Sequence, residues 1–282
     1  MKGFMRRCNP QVATLLGLLC LMPVATAADH AAGYFRLGEA RLDVRHAIAV
    51  VEEESDAPED KQTLVFLSAA PLDAGKVAAA FDAMDAVREQ EPAGGYIRLC
   101  FTVDGGECGL FFSPEGFNSG GYGELKFDHR DDRRIAGSFA LAKPEDFLGK
   151  DYQFDLRFDT AITPAPGTSL PAGGGEPGAA YNAWLAALAQ GDLATLRRMA
   201  GEEGRWRYPE DDPTSAKEAL KSARDEQPLR AEISRGHLHG DQAILWVSGS
   251  DRDDIRRAGR VLMQKGPDGW RHAESDLDSV EE

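Results

Sequence analysis

Basic residues are scarce in this chain of 282 residues: 32 Lys and Arg stand against 47 Asp and Glu, for a formal net charge of −15. A surface of this charge is repelled by phosphate backbones and by anionic lipid headgroups. Nucleic acid is therefore excluded as an expected partner. The excess of acidic residues indicates a charged, solvated surface that keeps protein molecules from associating with one another.

Long apolar segments are also missing, apart from one short run near the first residue. Residues 12–24 are mostly apolar, follow the basic residues Lys2, Arg6 and Arg7, and precede Ala25-Thr26-Ala27. This order is typical of a secretory signal peptide with a small-x-small cleavage site. The run is too short for a membrane anchor. The sequence therefore predicts a leader over residues 1–27, no membrane span in the mature chain, and a periplasmic or secreted protein.

Only four cysteines occur, and two of them, Cys8 and Cys20, belong to the predicted leader. Cys100 and Cys108 would remain in an oxidising compartment, where an even pair commonly forms a disulfide. They flank residues 104–106, an Asp-Gly-Gly sequence between two apolar runs that signals a hairpin turn. We predict a disulfide across this hairpin. The alternative is two buried free thiols.

Sequence signatures of catalysis are missing as well. The chain has no phosphate-binding loop, no GxSxG and no catalytic Cys–His motif. His237 and His239 would share one strand face, as two metal ligands could, but no third ligand can be identified. We therefore assign no catalytic residue, no metal site and no cofactor.

The aromatic residues divide the chain into two parts. All thirteen phenylalanines precede residue 163, and all four tryptophans follow residue 178. Residues 163–178 between them are nearly all Pro, Gly, Ala, Ser or Thr, a composition that disfavours packed elements. The sequence predicts a linker here, which joins two domains over 28–162 and 179–282 with separate cores.

The first of these domains contains about seven short apolar runs that predict strands. From Asp73, a plausible N-cap, Val77, Phe81, Met84 and Val87 recur at helical spacing and predict one amphipathic helix. Many short strands with a single helix indicate a β-sandwich or a partly open barrel. No family resemblance is evident for residues 28–162.

The sequence pattern of the second domain predicts three helical segments followed by four strands. It contains the segments 184–192, WLAALAQGD, and 259–265, GRVLMQK, and ends its last turn with Gly269-Trp270. In this order it resembles the nuclear transport factor superfamily, which includes SnoaL-like and ketosteroid-isomerase-like domains. The resemblance implies an α+β cone, in which helices pack on a strongly bent antiparallel sheet. The expected fold class is therefore α+β with two domains.

The resemblance also implies where a site would lie. Enzymes of this superfamily often place an Asp base and Tyr or Asp donors inside the apolar cone, where low dielectric adjusts the pKa. Candidates in this sequence are Tyr181, Tyr208, Asp241 and His272, although none lies in a motif that matches a catalytic position. The superfamily contains enzymes and non-catalytic domains, so the fold cannot decide between them.

Six aromatic residues are candidates for the wall of a ligand pocket in the cone. These are Tyr181, Trp184, Trp206, Tyr208, Trp246 and Trp270. They would suit a small apolar or aromatic ligand; alternatively, Trp184 and Trp270 simply fill the cone.

The leading interpretation is an exported, non-enzymatic two-module binding or accessory protein of the cell envelope. Its partner would be an unidentified protein or a small apolar ligand. The alternative is a small-molecule enzyme with isomerase-like or cyclase-like proton transfer in the cone, and a third possibility is a structural spacer.

Overall fold

The structure is a computed structural model that describes residues 29–53, 61–120, 123–200 and 206–280. The predicted leader over residues 1–27 lies outside these ranges. The described chain is mostly β, with two sheets and a smaller helical part. None of the described helices is both long and apolar enough to cross a membrane.

Eleven strands form the first sheet. They are β1 His30–Leu37, β2 Ala40–Asp43, β3 His46–Glu53, β4 Lys61–Ser68, β5 Tyr96–Thr102, β6 Glu107–Phe112, β7 Phe117–Ser119, β8 Glu124–Arg130, β9 Arg134–Ala140, β10 Glu145–Phe147 and β11 Lys150–Thr163. Their main order is β2-β1-β11-β3-β4-β5-β6-β7, and β9 and β10 also pair with β11. The long strand β11 pairs antiparallel with β1 and β9, and it pairs parallel with β3 only at Ile162 and Thr163.

The two arms of this sheet, on either side of the β11–β3 junction, pack against each other through phenylalanine rings. Phe35 on β1 stacks on Phe112 of β6 at 4.4 Å between ring centroids, and Phe101 on β5 lies 5.8 Å from Phe158 of β11. These strands are not neighbours in the sheet, so their contacts mean that one arm folds over the other. The apolar residues of both arms form one buried cluster.

The predicted single helix is wrong, because the segment forms two short helices, α1 Ala74–Ala79 and α2 Ala83–Arg88. Asp73 caps the first helix as expected, with its side chain accepting from the Lys76 amide. Ala80 is extended, however, and Asp82 caps a new helix. Both helices cover the outer face of the arm containing β3, β4 and β5. Because the helix is interrupted between α1 and α2, Phe81 does not lie on the single apolar helix face that its spacing predicted.

The predicted disulfide between Cys100 and Cys108 is confirmed, with 5.0 Å between the two Cα atoms. Cys100 pairs in register with Gly109, and Phe101 pairs with Glu107, so Cys108 is the extra residue of a β-bulge. Closing so short a loop restricts the unfolded chain and contributes about 2.5 kcal/mol in the chain-entropy account.

The second sheet is an antiparallel meander that carries helices on one face. Its strands are β12 Thr168–Leu170, β13 Glu232–His239, β14 Gln242–Ser250, β15 Arg256–Gly266 and β16 Gly269–Ser279, in that order. The helices are α3 Gly175–Gln190, α4 Leu193–Met199 and α5 Pro213–Glu226. Asp192 caps α4, and Asp212 caps α5. The last strand, β16, extends to Ser279.

The expectation that no packed element forms over residues 163–178 is wrong. Thr168–Leu170 pairs with β13, and α3 begins at Gly175, within the expected linker. Gly174 makes this start possible, because it adopts a left-handed conformation with φ of 69° that glycine accepts without strain. A Cβ there would also approach Leu245 to 2.9 Å.

The helices and the inner face of the second sheet share a separate core. Ala243, Leu245 and Val247 alternate along β14 and lie in one buried cluster with Tyr181 and Trp184 of α3. The register shifts in β13 and again in β16, and such bulges increase local bending and twist.

The outer face of this sheet carries a row of four residues that are direct cross-strand neighbours. Arg235 pairs in register with Trp246, Trp246 with Arg260, and Arg260 with Asp276. Trp246 is buried, and the Arg235 guanidinium lies over its ring at 4.2 Å. We call these four residues the outer row.

The outer row is the place where the second sheet meets the end of β3. The indole nitrogen of Trp246 donates to the backbone oxygen of Glu53 at 3.2 Å, and the Glu53 carboxylate forms ion pairs with Lys61 and Arg235. Burial alone would raise the pKa of Glu53, but the hydrogen bonds from Lys61 and Arg235 outweigh it and hold the pKa below its ordinary value.

Arg260 extends this contact across the sheet. Its guanidinium lies 3.8 Å from Glu52 and 3.2 Å from Asp276, and it sits over the ring of Phe81 at 5.1 Å. Phe81, which lies between α1 and α2, therefore takes part in the contact between the two sheets.

Candidate ligand cavity

A cavity of about 550 Å³ lies between β16 and the helical part of the second core. Its wall is formed by α3, by the end of α4 and of α5, and by the middle of β16. The lining residues are Trp184, Ala200, Arg207, Tyr208, Glu226, Gln227, His272, Ala273, Glu274 and Ser275. A volume of this size suits a small organic molecule.

His272 is the central side chain of this wall. Its ring stacks on the Trp184 ring with 3.9 Å between centroids and 11° between planes, and its Nε2 lies 2.7 Å from Ser275 Oγ. Ala273 is the extra residue of a bulge opposite β15, which brings His272 and Ser275 to the same side of the strand. Burial, with a smaller effect of Arg207, lowers the pKa of His272 to about 3. The ring is therefore neutral near pH 7.

A second hydrogen-bonded pair links α3 to the end of α5. The Tyr181 hydroxyl donates to Gln227 Oε1 at 2.8 Å, and the same oxygen lies 3.5 Å from Ser275 Oγ. Burial raises the pKa of Tyr181 well above its ordinary value, so the hydroxyl keeps its proton. Tyr181, Gln227, Ser275 and His272 thus form one uncharged polar network, and all of them except Tyr181 line the cavity.

Two further side chains of the wall carry donors without partners. The Trp184 indole nitrogen and the Tyr208 hydroxyl are buried, and neither has a hydrogen-bond partner among the described residues. The backbone at Tyr208 is held in place, since Arg197 Nε donates to its carbonyl oxygen at 2.6 Å. Burial also raises the pKa of Tyr208. A buried donor without a partner is unfavourable, so both groups lower the stability of this part of the core.

The six expected pocket residues separate into two groups. Trp184 and Tyr208 line the cavity, and Tyr181 lies directly behind it. Trp206, Trp246 and Trp270 are not part of the wall.

The three excluded tryptophans have different surroundings. Trp206 is 85% exposed, and Trp246 belongs to the outer row on the opposite face of the sheet. Trp270 packs at the margin of the second core with Lys265 near its ring. Alternation along a strand decides the position of Trp246, because residues 245 and 247 face the helices.

The remaining expected residues lie away from the cavity. Asp241 is exposed in the turn between β13 and β14, and His239 is exposed beside it. In the part of the chain that the structure describes, no three His, Cys, Asp or Glu side chains come together as metal ligands would.

Gln227 and Ser275 are the site residues that the sequence did not indicate. Gln227 follows the last residue of a helix and precedes Pro228, a position that suggests only a helix end. Ser275 lies in the acidic stretch after Trp270, which carries little apolar signal. Its place in β16 depends on pairing with β15, where Arg260 faces Asp276.

A larger groove of about 950 Å³ lies on the outer face of β8, β9 and β11. Small residues such as Ser138 form its floor, and exposed charged residues such as Lys126 and Arg157 form its sides. It lacks the enclosed, buried polar groups of the cavity beside His272, so we regard the smaller cavity as the candidate site.

The chain matches no protein-family model, no curated protein and no solved structure. The resemblance of residues 179–282 to the nuclear transport factor superfamily therefore stays a prediction.

The two buried tyrosines of the site should respond differently to loss of their hydroxyl groups. Tyr181→Phe removes a donor from Gln227 and should lower the free energy of unfolding by about 1–2 kcal/mol. Tyr208→Phe removes a buried hydroxyl without a partner and should leave stability unchanged or higher. Urea unfolding of both variants tests this difference. An equal loss in both would mean that the Tyr208 hydroxyl is hydrogen-bonded in solution.

Proposed function

We propose that this chain is an exported two-module binding protein whose C-terminal module, residues 179–282, holds a small molecule in the cavity beside His272. The observation that carries the proposal is the uncharged, hydrogen-bonded network on the buried side of that cavity. Four side chains from three elements hold one another in place there, which fixes a recognition surface before a ligand arrives.

Binding is favoured over proton transfer by the protonation states in the wall. A general base is effective when its pKa lies near the working pH. Burial lowers the pKa of His272 to about 3 and raises the pKa values of Tyr181 and Tyr208. The two buried ionisable groups that line the cavity, His272 and Tyr208, are therefore poorly suited to exchange protons at neutral pH, but both can form hydrogen bonds.

The other parts of the proposal rest on sequence and architecture together. The basic, apolar and small-residue order of residues 1–27 supports export, and the bond between Cys100 and Cys108 is consistent with an oxidising compartment. We propose that the first module is a β-sandwich and the second a cone. Their separate buried clusters support a two-module organisation, with the outer row holding the modules together.

Ligand binding can be tested on the purified chain with a diverse fragment library, with thermal shift followed by calorimetric titration. We expect fragments that bind saturably at micromolar concentration. Ala273→Leu should weaken them because Ala273 lines the cavity, whereas Ala258→Leu, on the adjacent strand and outside the wall, should not. Failure of every fragment to bind, or equal binding in both variants, would contradict the proposal. Turnover of a bound compound that is lost in His272→Gln would replace it with the enzyme alternative.

A further inference from the structure

The hairpin between β10 and β11 ends in an exposed apolar tip. Phe147 and Leu148 are 37% and 88% exposed, and Leu148 and Gly149 form a two-residue turn with φ of 53° and 80°. Such a turn requires the left-handed region at both positions, where glycine or asparagine is favoured over a large apolar residue. Leucine is thus unfavourable here for the backbone and for its hydration. Strained residues of this kind are concentrated at functional sites.

One aromatic contact and one ion pair hold the hairpin in place without covering its tip. Phe147 meets Phe117 edge-to-face with 4.7 Å between ring centroids, and Lys150 Nζ lies 2.7 Å from Glu115 Oε2. Leu148, in contrast, belongs to none of the buried apolar clusters in the described part of the chain. The hairpin thus presents one well-positioned leucine side chain to the surroundings of the molecule.

The margin of this tip is acidic. Glu145, Asp146 and Asp151 are exposed around it, and none of the three forms an ion pair within the described residues. Of the two lysines on the hairpin, Lys150 is already paired, which leaves Lys143 alone against three carboxylates. The tip therefore combines an apolar centre with a net negative margin.

An apolar groove beside α3 has the complementary character. It consists of two depressions, of about 250 and 530 Å³, that share Leu185 and Leu229 in their walls. Leu229 lies between α5 and β13 and is 54% exposed. Leu188, Ala189 and Pro228 complete the apolar lining of the smaller depression. We call the two depressions together the Leu229 groove.

The rim of the Leu229 groove is basic. Arg224 and Arg252 border the smaller depression, and Arg230 borders the larger one. Arg252 is paired with Asp225. Arg224 donates to backbone carbonyls at the end of α3, and neither Arg224 nor Arg230 has a carboxylate partner where the structure describes the chain. An apolar groove with such a rim attracts an apolar group that carries carboxylates beside it.

We infer that the Leu148 tip of one molecule docks into the Leu229 groove of a second copy of this chain. Tip and groove are both exposed, so they do not contact each other within one molecule. They match in shape, because a projecting leucine meets an apolar depression. The net charge of −15 opposes other contacts between copies, but here carboxylates meet arginines.

This contact joins two different surfaces, so it is heterologous. A molecule that uses its tip keeps its groove free for the next copy, and the reverse also holds. Copies joined in this way form an open chain, or a ring if the rotation between neighbours closes.

Sedimentation velocity of the full chain over about 5–500 µM tests the contact, because an interface built on one hairpin tip is small and should be weak. We expect the mean mass to rise with concentration. Leu148→Asn should weaken association about tenfold or more, since burial of one leucine accounts for a factor of that order. Asparagine accepts the left-handed conformation, so the melting temperature should stay unchanged or rise. Val103→Asn, at another exposed turn of the first sheet, is the matched control.

A second variant tests the groove, and mixing the two variants tests the pairing. Ala189→Glu places a carboxylate in the groove and should weaken association, whereas Ala194→Glu, exposed on α4 and outside the groove, should not. In an equal mixture, Leu148→Asn supplies an intact groove and Ala189→Glu an intact tip. We expect this mixture to form one-to-one dimers that grow no further.

Each contrary result overturns the inference. Wild type that stays monomeric at the highest concentration excludes a second copy as the occupant of the groove. Association that neither variant weakens, or that the control variants weaken equally, places the contact elsewhere. A mixture that stays monomeric means that tip and groove do not bind each other, and a lowered melting temperature in Leu148→Asn means that Leu148 supports its own fold. None of these outcomes bears on the cavity beside His272, whose ligand binding is tested separately.

Discussion

Lowering the pH from 7 to 4 should destabilise the folded chain by about 3 kcal/mol through His272 alone. The pKa of this side chain is lowered to about 3 in the folded chain because its ring is buried, while an unfolded histidine titrates near 6.5. Between these two values the unfolded chain binds a proton that the folded chain excludes. The contribution of His272 is therefore fully present above about pH 6.5 and is lost as the pH falls towards 3.

The measurement is the free energy of unfolding of wild type and His272→Gln at several pH values between 4 and 8. Asp251 and Glu53 also have lowered pKa values and lose stabilisation in acid, so the difference between the two proteins is the informative quantity. His239→Gln, which changes an exposed histidine, should keep the wild-type slope. If His272→Gln keeps that slope as well, His272 is not the buried neutral group described here.

The local structure that the sequence predicted correctly depends on nearby residues. Asp73 caps a helix as expected, because a capping side chain needs only the amide three residues ahead. The hairpin around residues 104–106 formed for the same reason, and it placed Cys100 and Cys108 within bonding distance. Such features require no knowledge of the rest of the chain.

The errors arise where distant residues decide the outcome. Thr168–Leu170 is too short to predict as a strand, and it forms because β13 offers an edge. Phe81 fits a helical stripe by spacing, but Asp82 starts a new helix and Phe81 contacts Arg260 instead. In both cases the local sequence pattern does not show which distant residue the segment will contact.

The candidate site was predictable only in part. Tyr181, Trp184, Tyr208 and His272 were proposed as candidates from residue type together with the resemblance of this domain. Gln227 and Ser275 could not be predicted. Gln227 joins the site through its hydrogen bond with a residue 46 positions away in the chain. Ser275 joins it because a bulge in β16 turns its side chain towards the core. Trp246 was misplaced because both faces of β14 carry apolar residues, so alternation alone gives no preferred face.

The correct position of Trp246 leads to the largest expected effect of a single substitution. Its ring is 8% exposed, its nitrogen donates to the Glu53 backbone, and Arg235 stacks on it. Trp246→Ala should lower the free energy of unfolding by about 3–5 kcal/mol, the usual cost of truncating a buried tryptophan. The loss falls on the contact between the two sheets, because residues 245 and 247, and not 246, face the second core.

Calorimetry should therefore show a change in cooperativity as well as in stability. We expect wild type to unfold in one main transition and Trp246→Ala in two, because each sheet keeps its own buried cluster when the outer row is broken. Trp206→Ala is the matched control. It truncates the same side chain at an 85% exposed position and should change stability by less than about 0.5 kcal/mol. If Trp246→Ala behaves like Trp206→Ala, the outer row does not hold the two parts together in solution.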